Sequence, residues 1–389
     1  MIKVKMLRAQ DGDSFLLHFG IDAEFNMLID MGRRSTYVDF IRDELIALHR
    51  KQRKLDLLVI THIDEDHIEG ALPFLEENGS GNMIIEVGEV WHNTYRHLQF
   101  SKPKSPSVSN EERGALQQLI NQNSSDRYNE GWRDISVKSG VSLGGLILKN
   151  EYNWNRTFSG LAACIENQPE HSPFPIKFTL LSPGNKELKE LGRAWENKLQ
   201  KIFYDFQLSD ETIFDDAFEY VFKKEKDKVS SFAEIAFQKK TIEDYATVEM
   251  NDSSKVNASS IAFIIEYGGK RLLFLGDATS DRIASELKLL NNGNECYFDL
   301  VKISHHGSAR NTSIDLLKLI DAKKYLISTN GLLHNHPAME TVAKLLIKPS
   351  ASRKELYFNY KITGLEWLES KEIQDKYNFS VNYCNEIEL

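Results

Sequence analysis

Four side chains that could bind metal ions lie within the short segment Thr61–Gly70. They are two imidazoles and two carboxylates, at His62, Asp64, Asp66 and His67. Nitrogen and carboxylate ligands together suit Zn, Mn or Fe. The spacing predicts a metal site, because a tight loop there can turn two groups towards one cation and two towards another. The alternative is a polar loop in which Asp64 or Asp66 caps a helix.

The neighbouring elements place this segment at the edge of a sheet. Leu55–Thr61 is a nearly continuous apolar run, which is typical of a strand that is buried on both faces. The polar loop His62–Gly70 follows directly, and a helical pattern resumes over Ala71–Glu77. Strand, loop and helix in this order bring polar side chains to the carboxyl edge of a sheet.

Length and composition limit the classes of protein to consider. The chain has 389 residues and a mass of 44.6 kDa, which predicts two to three units or one large α/β domain with insertions. A net charge of −9 excludes a global basic surface, so any contact with nucleic acid would be local. The three cysteines are too scattered for a disulfide framework. No signal-peptide pattern or membrane-length apolar run is visible, so we expect a cytoplasmic protein with no membrane contact.

Further polar blocks stand in order around the metal-binding segment. Leu28-Ile29-Asp30 precedes it, and Leu275-Gly276-Asp277 lies far downstream. With the HxDxDH spacing, these blocks resemble the metallo-β-lactamase fold superfamily. More narrowly, the chain is similar to the hydrolase domain of the ComEC-type DNA-uptake protein and its stand-alone relatives. The blocks that carry the narrower resemblance are Ala9–Ser14 (GQGDS-like), Asn257–Ser260 (N-x-S), Ile303–Ser308 (HHGS), Ser328–Asn330 and His336-Pro337.

The resemblance implies an α+β fold, a four-layer αββα sandwich with a metal site at the edge of two sheets. Residues 1–352 would form this hydrolase domain. Apolar residues at helical spacing predict a helical insertion at about 185–255, outside the resemblance. Residues 353–389 also lie outside it, and we interpret them as an edge extension of the same domain.

The resemblance also assigns roles to individual residues. Asp277 would bridge two metals, and His336 matches the last ligand of phosphodiesterase members such as the tRNA-processing enzyme RNase Z. His305 or His306 would contact the scissile phosphate or the leaving group, and which of the two faces the site is open. In an alternative alignment, one of them is the final metal ligand. The implied metal ligands are His62, Asp64, Asp66, His67, Asp277 and His336. The implied catalytic residues are Asp66, His305 and His306.

Two departures from the common HxHxDH pattern matter. Asp64 stands where a histidine is usual, which makes the site richer in oxygen and shifts its preference towards Mn or Mg over Zn. The usual third histidine has no match; His92 ends a strand and could reach the site, or it is a core or surface histidine. We expect one or two divalent ions, Zn or Mn, that lower the pKa of a bound water to about 7. The residues expected to hold the metal ligands in position, without binding metal themselves, are Asp30, Asp13, His92 and Asn257. Asp13 could instead be an ordinary residue of a hairpin turn.

Basic residues near the predicted site favour an anionic substrate. Arg33 and Arg34 follow the Asp30 strand, and Arg310 follows the HHGS block. A guanidinium group binds phosphate through two hydrogen bonds. The first hypothesis is therefore a metal-dependent phosphodiesterase or nuclease that uses a metal-activated hydroxide on nucleic acid or a nucleotide.

Two other hypotheses stay open at this stage. The second is a hydrolase of a small ester, lactone, lactam or thioester, with a closed apolar pocket roofed by Trp91, Tyr95 and Phe100. The third is a non-catalytic or regulatory protein that docks a partner protein through residues 185–255. The apolar helix faces of that range would form the docking surface, unless they pack onto the same chain.

Overall fold

The computed structural model describes residues 1–79, 81, 83–100, 103–124, 141–223 and 241–389. The strands of this part are β1 (Ile2–Met6), β2 (Phe15–Phe19), β3 (Phe25–Ile29), β4 (Leu55–Val59), β5 (Val87–Trp91), β6 (Lys177–Ser182), β7 (Ala262–Tyr267), β8 (Lys270–Phe274), β9 (Cys296–Lys302), β10 (Ile320–Ile327), β11 (Lys354–Phe358), β12 (Phe379–Tyr383) and β13 (Glu386–Glu388). The helices are α1 (Arg34–Thr36), α2 (Arg42–Arg50), α3 (Glu65–Ile68), α4 (Ala71–Gly79), α5 (Asn110–Ser124), α6 (Leu143–Lys149), α7 (Asn185–Gln200), α8 (Thr212–Phe222), α9 (Ile242–Ala246), α10 (Lys255–Ala258), α11 (Ser280–Leu290), α12 (Ile314–Leu317), α13 (Met339–Ile347) and α14 (Lys371–Lys376). A π-helical turn, Tyr37–Ile41, joins α1 to α2.

The described strands form two mixed sheets. One has six strands in the order β13-β1-β2-β3-β4-β5, and the other has seven in the order β12-β11-β10-β9-β8-β7-β6. The pairs β3–β4 and β4–β5 are parallel, as are all pairs from β8 to β12. A backbone hydrogen bond of 2.9 Å from Ile261 N to Thr61 O joins the two sheets where β4 ends. The loops that follow the parallel strands therefore meet at one edge of the sandwich.

Alternating side chains divide the core into layers. On β4, Leu57 and Val59 pack between the two sheets, whereas Leu58 packs on the other face with Phe74 of α4. Both faces of this strand are buried, which explains its continuous apolar sequence. Helices α11 and α13 cover the outer face of the second sheet in the same way. The order is thus helices, sheet, sheet, helices, and the α+β fold class predicted from the sequence is confirmed.

The predicted helical insertion contains two long helices, α7 and α8. Their apolar faces pack against each other, with Phe218 and Phe222 of α8 on Trp195 of α7. Ile202 lies beyond the end of α7 and is 44% exposed. The side chains of this face that are buried are Leu188, Leu191, Trp195 and Leu199. These apolar faces therefore pack within the chain. A partner protein at residues 185–255 stays a prediction, and 224–240 lie outside the described residues.

The carboxyl group of Asp216 links α8 to the start of α6. Its Oδ1 accepts a hydrogen bond of 2.8 Å from Ser142 N at the start of α6. Burial nevertheless raises the pKa of Asp216 from 3.8 to about 6, outweighing that bond. Because the folded-state pKa lies above the unfolded one, the protonated carboxyl stabilises the fold at low pH, and this contribution is lost as the pH rises through 6.

We therefore expect Asp216→Asn to gain stability relative to the wild type as the pH rises from about 4 to 7, by up to about 3 kcal/mol. Asparagine keeps an acceptor for Ser142 N but carries no charge. Urea unfolding at several pH values measures the difference. The exposed Asp22→Asn controls for the loss of a surface carboxylate. A stability difference for Asp216→Asn that does not change with pH would contradict the prediction.

The residues after 353 contribute to both sheets. β11 and β12 extend the seven-stranded sheet at one edge, and β13 pairs antiparallel with β1 of the other. The division of the chain into residues 1–352 and 353–389 stays a prediction. Within the described part of the chain, every helix is too short or too polar to cross a membrane.

Candidate metal centre

Asp30 anchors the loop that follows β4. It comes directly after β3, and its φ of 55° turns its carboxylate back into the protein. The carboxylate is fully buried and accepts three hydrogen bonds: from Thr61 N (2.7 Å), Thr61 Oγ1 (2.8 Å) and His67 Nδ1 (2.8 Å). Asp30 therefore fixes both the loop and the orientation of one imidazole, from the position behind His67 that the sequence predicts.

Four histidine rings of the site are oriented in the same way. In each ring Nδ1 faces a fixed polar partner, so that the neutral form of the ring carries its proton on Nδ1 and its lone pair on Nε2. Two of these rings come from the loop after β4 and two from the loop after β9. The partners are Thr61 Oγ1 for His62 (3.0 Å), Asp30 Oδ2 for His67 (2.8 Å), Asn311 Oδ1 for His305 (3.0 Å) and Ser328 O for His306 (3.0 Å).

The four Nε2 atoms converge on one carboxylate oxygen, Asp277 Oδ2. It lies 3.4 Å from His67, 3.7 Å from both His305 and His306, and 3.8 Å from His62. Asp277 is only 1% exposed. The structure thus brings both histidines of the HHGS block to the site. They reach it because consecutive left-handed residues, at φ 48° and 52°, turn both rings inwards.

Asp64 and Asp66 complete the cluster. Asp64 Oδ2 lies 3.4 Å from His62 Nε2, and Asp66 Oδ2 lies 3.2 Å from His306 Nε2 and 4.0 Å from His67 Nε2. Asp64 immediately precedes α3, but its side chain makes no capping hydrogen bond with that helix. The loop therefore starts a helix without using its carboxylates to cap it, and both face imidazoles instead.

Orphaned polar atoms show that the cluster fits a divalent cation. Among the buried atoms of the described chain that make no hydrogen bond, five belong to this cluster, and all five are strong metal donors. Burial lowers the pKa of His306, but the negative charges of Asp13 and Asp277 outweigh burial and raise this pKa to about 10. Burial also lowers the pKa of His305, and there the charge of Asp277 outweighs it and raises the pKa to about 9. A cation would take the place of these protons. The five atoms are Nε2 of His62, His67 and His306, and Oδ1 of Asp64 and Asp277.

His336 stands beside this cluster. Its ring centroid lies 5.2 Å from that of His305, and its buried Nδ1 makes no hydrogen bond with the described residues. Burial, together with the positive charge of His305 and His306, holds the pKa of His336 well below its usual value. A neutral imidazole with an open nitrogen is thus available next to His305.

His305 is oriented by a network that includes a residue absent from the sequence predictions, Asp252. Its Oδ2 accepts hydrogen bonds of 2.8 Å from Asn257 Nδ2 and from Asn311 Nδ2. Asn311 in turn accepts the Nδ1 proton of His305. The only local feature that could have drawn attention to Asp252 is a turn, in which its carboxylate accepts a hydrogen bond from Ser254 N. Asn257, expected to support the site, contacts both Asp252 and His305 Nδ1 (3.3 Å).

Asp13 is buried behind the cluster. Its carboxylate is 1% exposed, pairs with Lys302 Nζ, and lies 3.3 Å from His306 Nδ1. It is therefore part of the site's support and not only a turn residue.

His92, in contrast, does not join the cluster. Its Nδ1 lies 3.3 Å from Ile60 O and its Nε2 3.8 Å from Glu219 Oε1, and its ring stacks beside Trp154. The prediction that His92 supports the site is wrong for a simple reason. Trp91 points into the core between the sheets, so the next side chain along the strand points to the opposite, helix-covered face.

A cavity of about 490 Å³ opens onto the cluster. Of the three arginines predicted to bind an anion, Arg33 and Arg310 line it and Arg34, the first residue of α1, does not. Arg33 already contacts carboxylates: Nε lies 2.9 Å from Asp11 Oδ1, and Nη1 lies 3.2 Å from Glu65 Oε2. Its charge is therefore largely balanced within the protein.

The aromatic roof predicted for an apolar pocket is wrong. Trp91 packs between the sheets against Phe158 and Phe178. Tyr95 packs on Phe100, and none of the three predicted roof residues lines the cavity. The described apolar side chains that do line it are Tyr245, Met250, Ala309, Leu333, Pro337, Ala338 and Met339.

The hairpin after β1 fits closely against the metal loop at Gly12. A Cβ atom on Gly12 would lie 1.8 Å from Asp66 O, closer than any real contact. We expect Gly12→Ala to lower the free energy of unfolding by about 1–3 kcal/mol, because the backbone that carries Asp66 must move. Denaturant unfolding measures this.

The matched control is Gly114→Ala in α5, where the added Cβ would meet nothing within 4 Å. This substitution should raise stability by about 0.5–1 kcal/mol, since alanine favours helix. Equal effects at the two glycines would show that the contact with Asp66 is unimportant.

Part of this chain matches a known protein family, and two solved structures resemble it. Residues 8–133 match a family model described as the metallo-beta-lactamase superfamily. Among curated proteins, none matches this chain. Two solved structures are similar over nearly their full length. One is the metallo-beta-lactamase fold protein YhfI from Bacillus subtilis, with 11% sequence identity and a TM-score of 0.37; the match covers 99% of this chain and 96% of that one. The other is Zn(2+)-bound PqqB from Methylobacterium extorquens, with 10% sequence identity and a TM-score of 0.38; the match covers 100% of both chains.

Proposed function

We propose that this protein, which carries a metallo-β-lactamase superfamily domain, is a metal-dependent hydrolase of phosphodiesters. Members of that superfamily are generally metal-dependent hydrolases, and the phosphodiester specificity is the proposed part. One observation carries the proposal: four imidazole Nε2 atoms face a single buried carboxylate oxygen, Asp277 Oδ2. Lone pairs arranged in this way suit a divalent cation.

The residues that would hold one or two divalent ions, Zn or Mn, are His62, Asp64, Asp66, His67 and Asp277. A bound ion supplies Lewis acidity and ionises water at neutral pH. Asp30 keeps the proton of His67 on Nδ1, which leaves Nε2 ready to bind. Asp252 and Asn311 fix His305 in the same tautomer at the mouth of the cavity.

The walls of the cavity support an anionic substrate. Arg310 and Lys223 line it together with the carboxylates of the centre, and the neutral His336 lines it as well. A volume of about 490 Å³ suits a nucleotide-sized ester better than a long polymer in an open groove. We therefore place a phosphate group against Arg310, with its ester oxygen near His305.

The narrower relation to ComEC-type hydrolase domains is part of this proposal. It is supported by the way the quoted blocks meet at the site. Asp13 of the GQGDS-like block, Asn257 of the N-x-S block and Ser328 of the closing block all contact a histidine of the HHGS block.

A second candidate is a hydrolase of a small ester, lactone, lactam or thioester. The apolar side of the cavity favours it, since Met250, Leu333 and Met339 line the same space as the charged residues. A substrate with an apolar group and a neutral carbonyl would fit that side.

The two candidates are separated by comparing bis(4-nitrophenyl) phosphate with 4-nitrophenyl acetate, a lactone and a thioester in the presence of Mn²⁺ or Zn²⁺. We expect phosphodiester hydrolysis that a chelator abolishes. Arg310→Ala should raise KM for the phosphodiester about 10- to 150-fold, since a charged hydrogen bond contributes about 1.5–3 kcal/mol. Lys318→Ala, an exposed cation directly after α12 in an ion pair with Asp315, is the control. Hydrolysis of only the carbonyl esters, with no effect of Arg310→Ala, would support the second candidate instead.

A further inference from the structure

A lysine is buried at the back of the metal centre. Lys302, the last residue of β9, is 1% exposed. Its Nζ pairs with a carboxylate oxygen of Asp13, donates a hydrogen bond of 2.9 Å to Gly276 O, and lies 3.8 Å from Asp277 Oδ1. The ammonium group thus forms an ion pair with Asp13 and lies within ion-pair distance of Asp277, and neither Lys302 nor Asp13 lines the cavity.

Asp13 belongs by geometry to a set of four residues that could bind a metal ion. Ligand atoms of Asp13, His67, Asp277 and His306 all lie within 4.8 Å of one another. The orientation of His306 nevertheless separates Asp13 from the other acids. Its Nδ1 faces Asp13, at 3.3 Å, whereas its Nε2 faces Asp66, at 3.2 Å. Asp13 therefore stands behind the ring, where Lys302 already balances its charge.

We propose that the Lys302 ammonium group is a built-in cation of this centre. It balances Asp13 and the Oδ1 side of Asp277, and so it keeps a divalent ion out of the position that Asp13 would otherwise help to form. The ions of the proposed function are then confined to the cavity side, where Asp277 presents Oδ2. Asp13 is a positioning residue for His306 and not a metal ligand.

Charge and burial support this assignment. Two buried carboxylates so close together would repel each other unless a cation lay between them. Lys302 supplies that cation without a metal, and its short contact with Asp13 leaves no room for another ion there. Another buried lysine, Lys354, differs in this respect: among the described residues, its Nζ donates only to the backbone oxygens Leu346 O (2.7 Å) and Lys348 O (2.6 Å).

The test counts bound ions, so it does not depend on hydrolysis. The wild type and four variants are dialysed against MnCl₂ and analysed for Mn per chain, with circular dichroism as a check of folding. We expect Lys302→Met to bind one Mn²⁺ more than the wild type, because Asp13 and Asp277 Oδ1 lose their cation. Asp13→Asn and the double variant Asp13→Asn/Lys302→Met should bind the same number as the wild type. Lys354→Met controls for the loss of a buried lysine and should also leave the count unchanged.

A folded Lys302→Met with the wild-type count would overturn the inference, and so would the loss of an ion in Asp13→Asn. If Lys302→Met does not fold, the double variant decides: an unchanged count supports the inference, and a reduced count makes Asp13 a ligand and overturns it. The inference rests on the metal centre of the proposed function, but the two fail differently. A wild type that binds no ion contradicts the proposed function, whereas only the variants decide the role of Lys302.

Discussion

Asp277→Asn should remove metal binding and lower kcat/KM by about 10³-fold or more. Asparagine preserves the shape of the side chain but removes the charge on which four imidazole Nε2 atoms converge. Metal-ion catalysis contributes several kcal/mol, and each 1.36 kcal/mol is about a factor of ten in rate. Metal content and phosphodiester hydrolysis are measured on the same preparation.

Asp281→Asn is the matched control for this variant. Asp281 lies four residues further along, exposed in the first turn of α11. It should keep both metal content and activity. Asp277→Asn with wild-type metal content and activity would show that the converging histidines serve only the packing of the fold.

Asp30→Ala should give the largest loss of stability. It removes an acceptor for Thr61 N, Thr61 Oγ1 and His67 Nδ1, all three of them buried. Breaking a buried charged contact by removing one partner costs about 3–5 kcal/mol. The released His67 should also weaken metal binding about 10–100-fold, as is usual when a partner behind a ligand is lost. Thermal unfolding of the metal-free protein and a metal titration measure the two effects.

The exposed Asp22→Ala, in the turn between β2 and β3, is the control, and its stability should change by less than about 0.5 kcal/mol. If Asp30→Ala is as stable as this control, the three hydrogen bonds do not hold the loop. If it is destabilised but binds metal normally, Asp30 supports the fold without orienting His67.

Local sequence spacing was sufficient to find part of the centre. His62, Asp64, Asp66 and His67 follow one buried strand, so their proximity is visible in the chain itself, and the continuous apolar run of β4 identifies a strand with two covered faces. The fold class was predicted through the resemblance, which depends on the HxDxDH spacing and on the order of the polar blocks around it.

Contacts between distant segments were not visible in the same way. Asp252 and Asn311 are 59 residues apart, and nothing local shows that they share a hydrogen bond and orient His305. Arg33 was predicted to bind an anion, but its partner Asp11 comes from the preceding hairpin and balances its charge. Such pairs depend on how separate loops meet at one sheet edge.

One property of a single strand explains two of the errors. Side chains alternate between the faces of β5, and Trp91 points into the core between the sheets. It therefore cannot roof the cavity, and His92 after it must face the helices on the other side. The sequence showed that these residues end a strand, but not which face each of them occupies.

The most direct test of the central claim is an anomalous diffraction map of the protein grown with Mn²⁺ or Zn²⁺ and measured at the absorption edge of that metal. We predict a strong anomalous peak bounded by Asp277 Oδ2 and the Nε2 atoms of His62 and His67. A map in which this space holds no metal, or in which the ion lies elsewhere on the protein, would contradict the account.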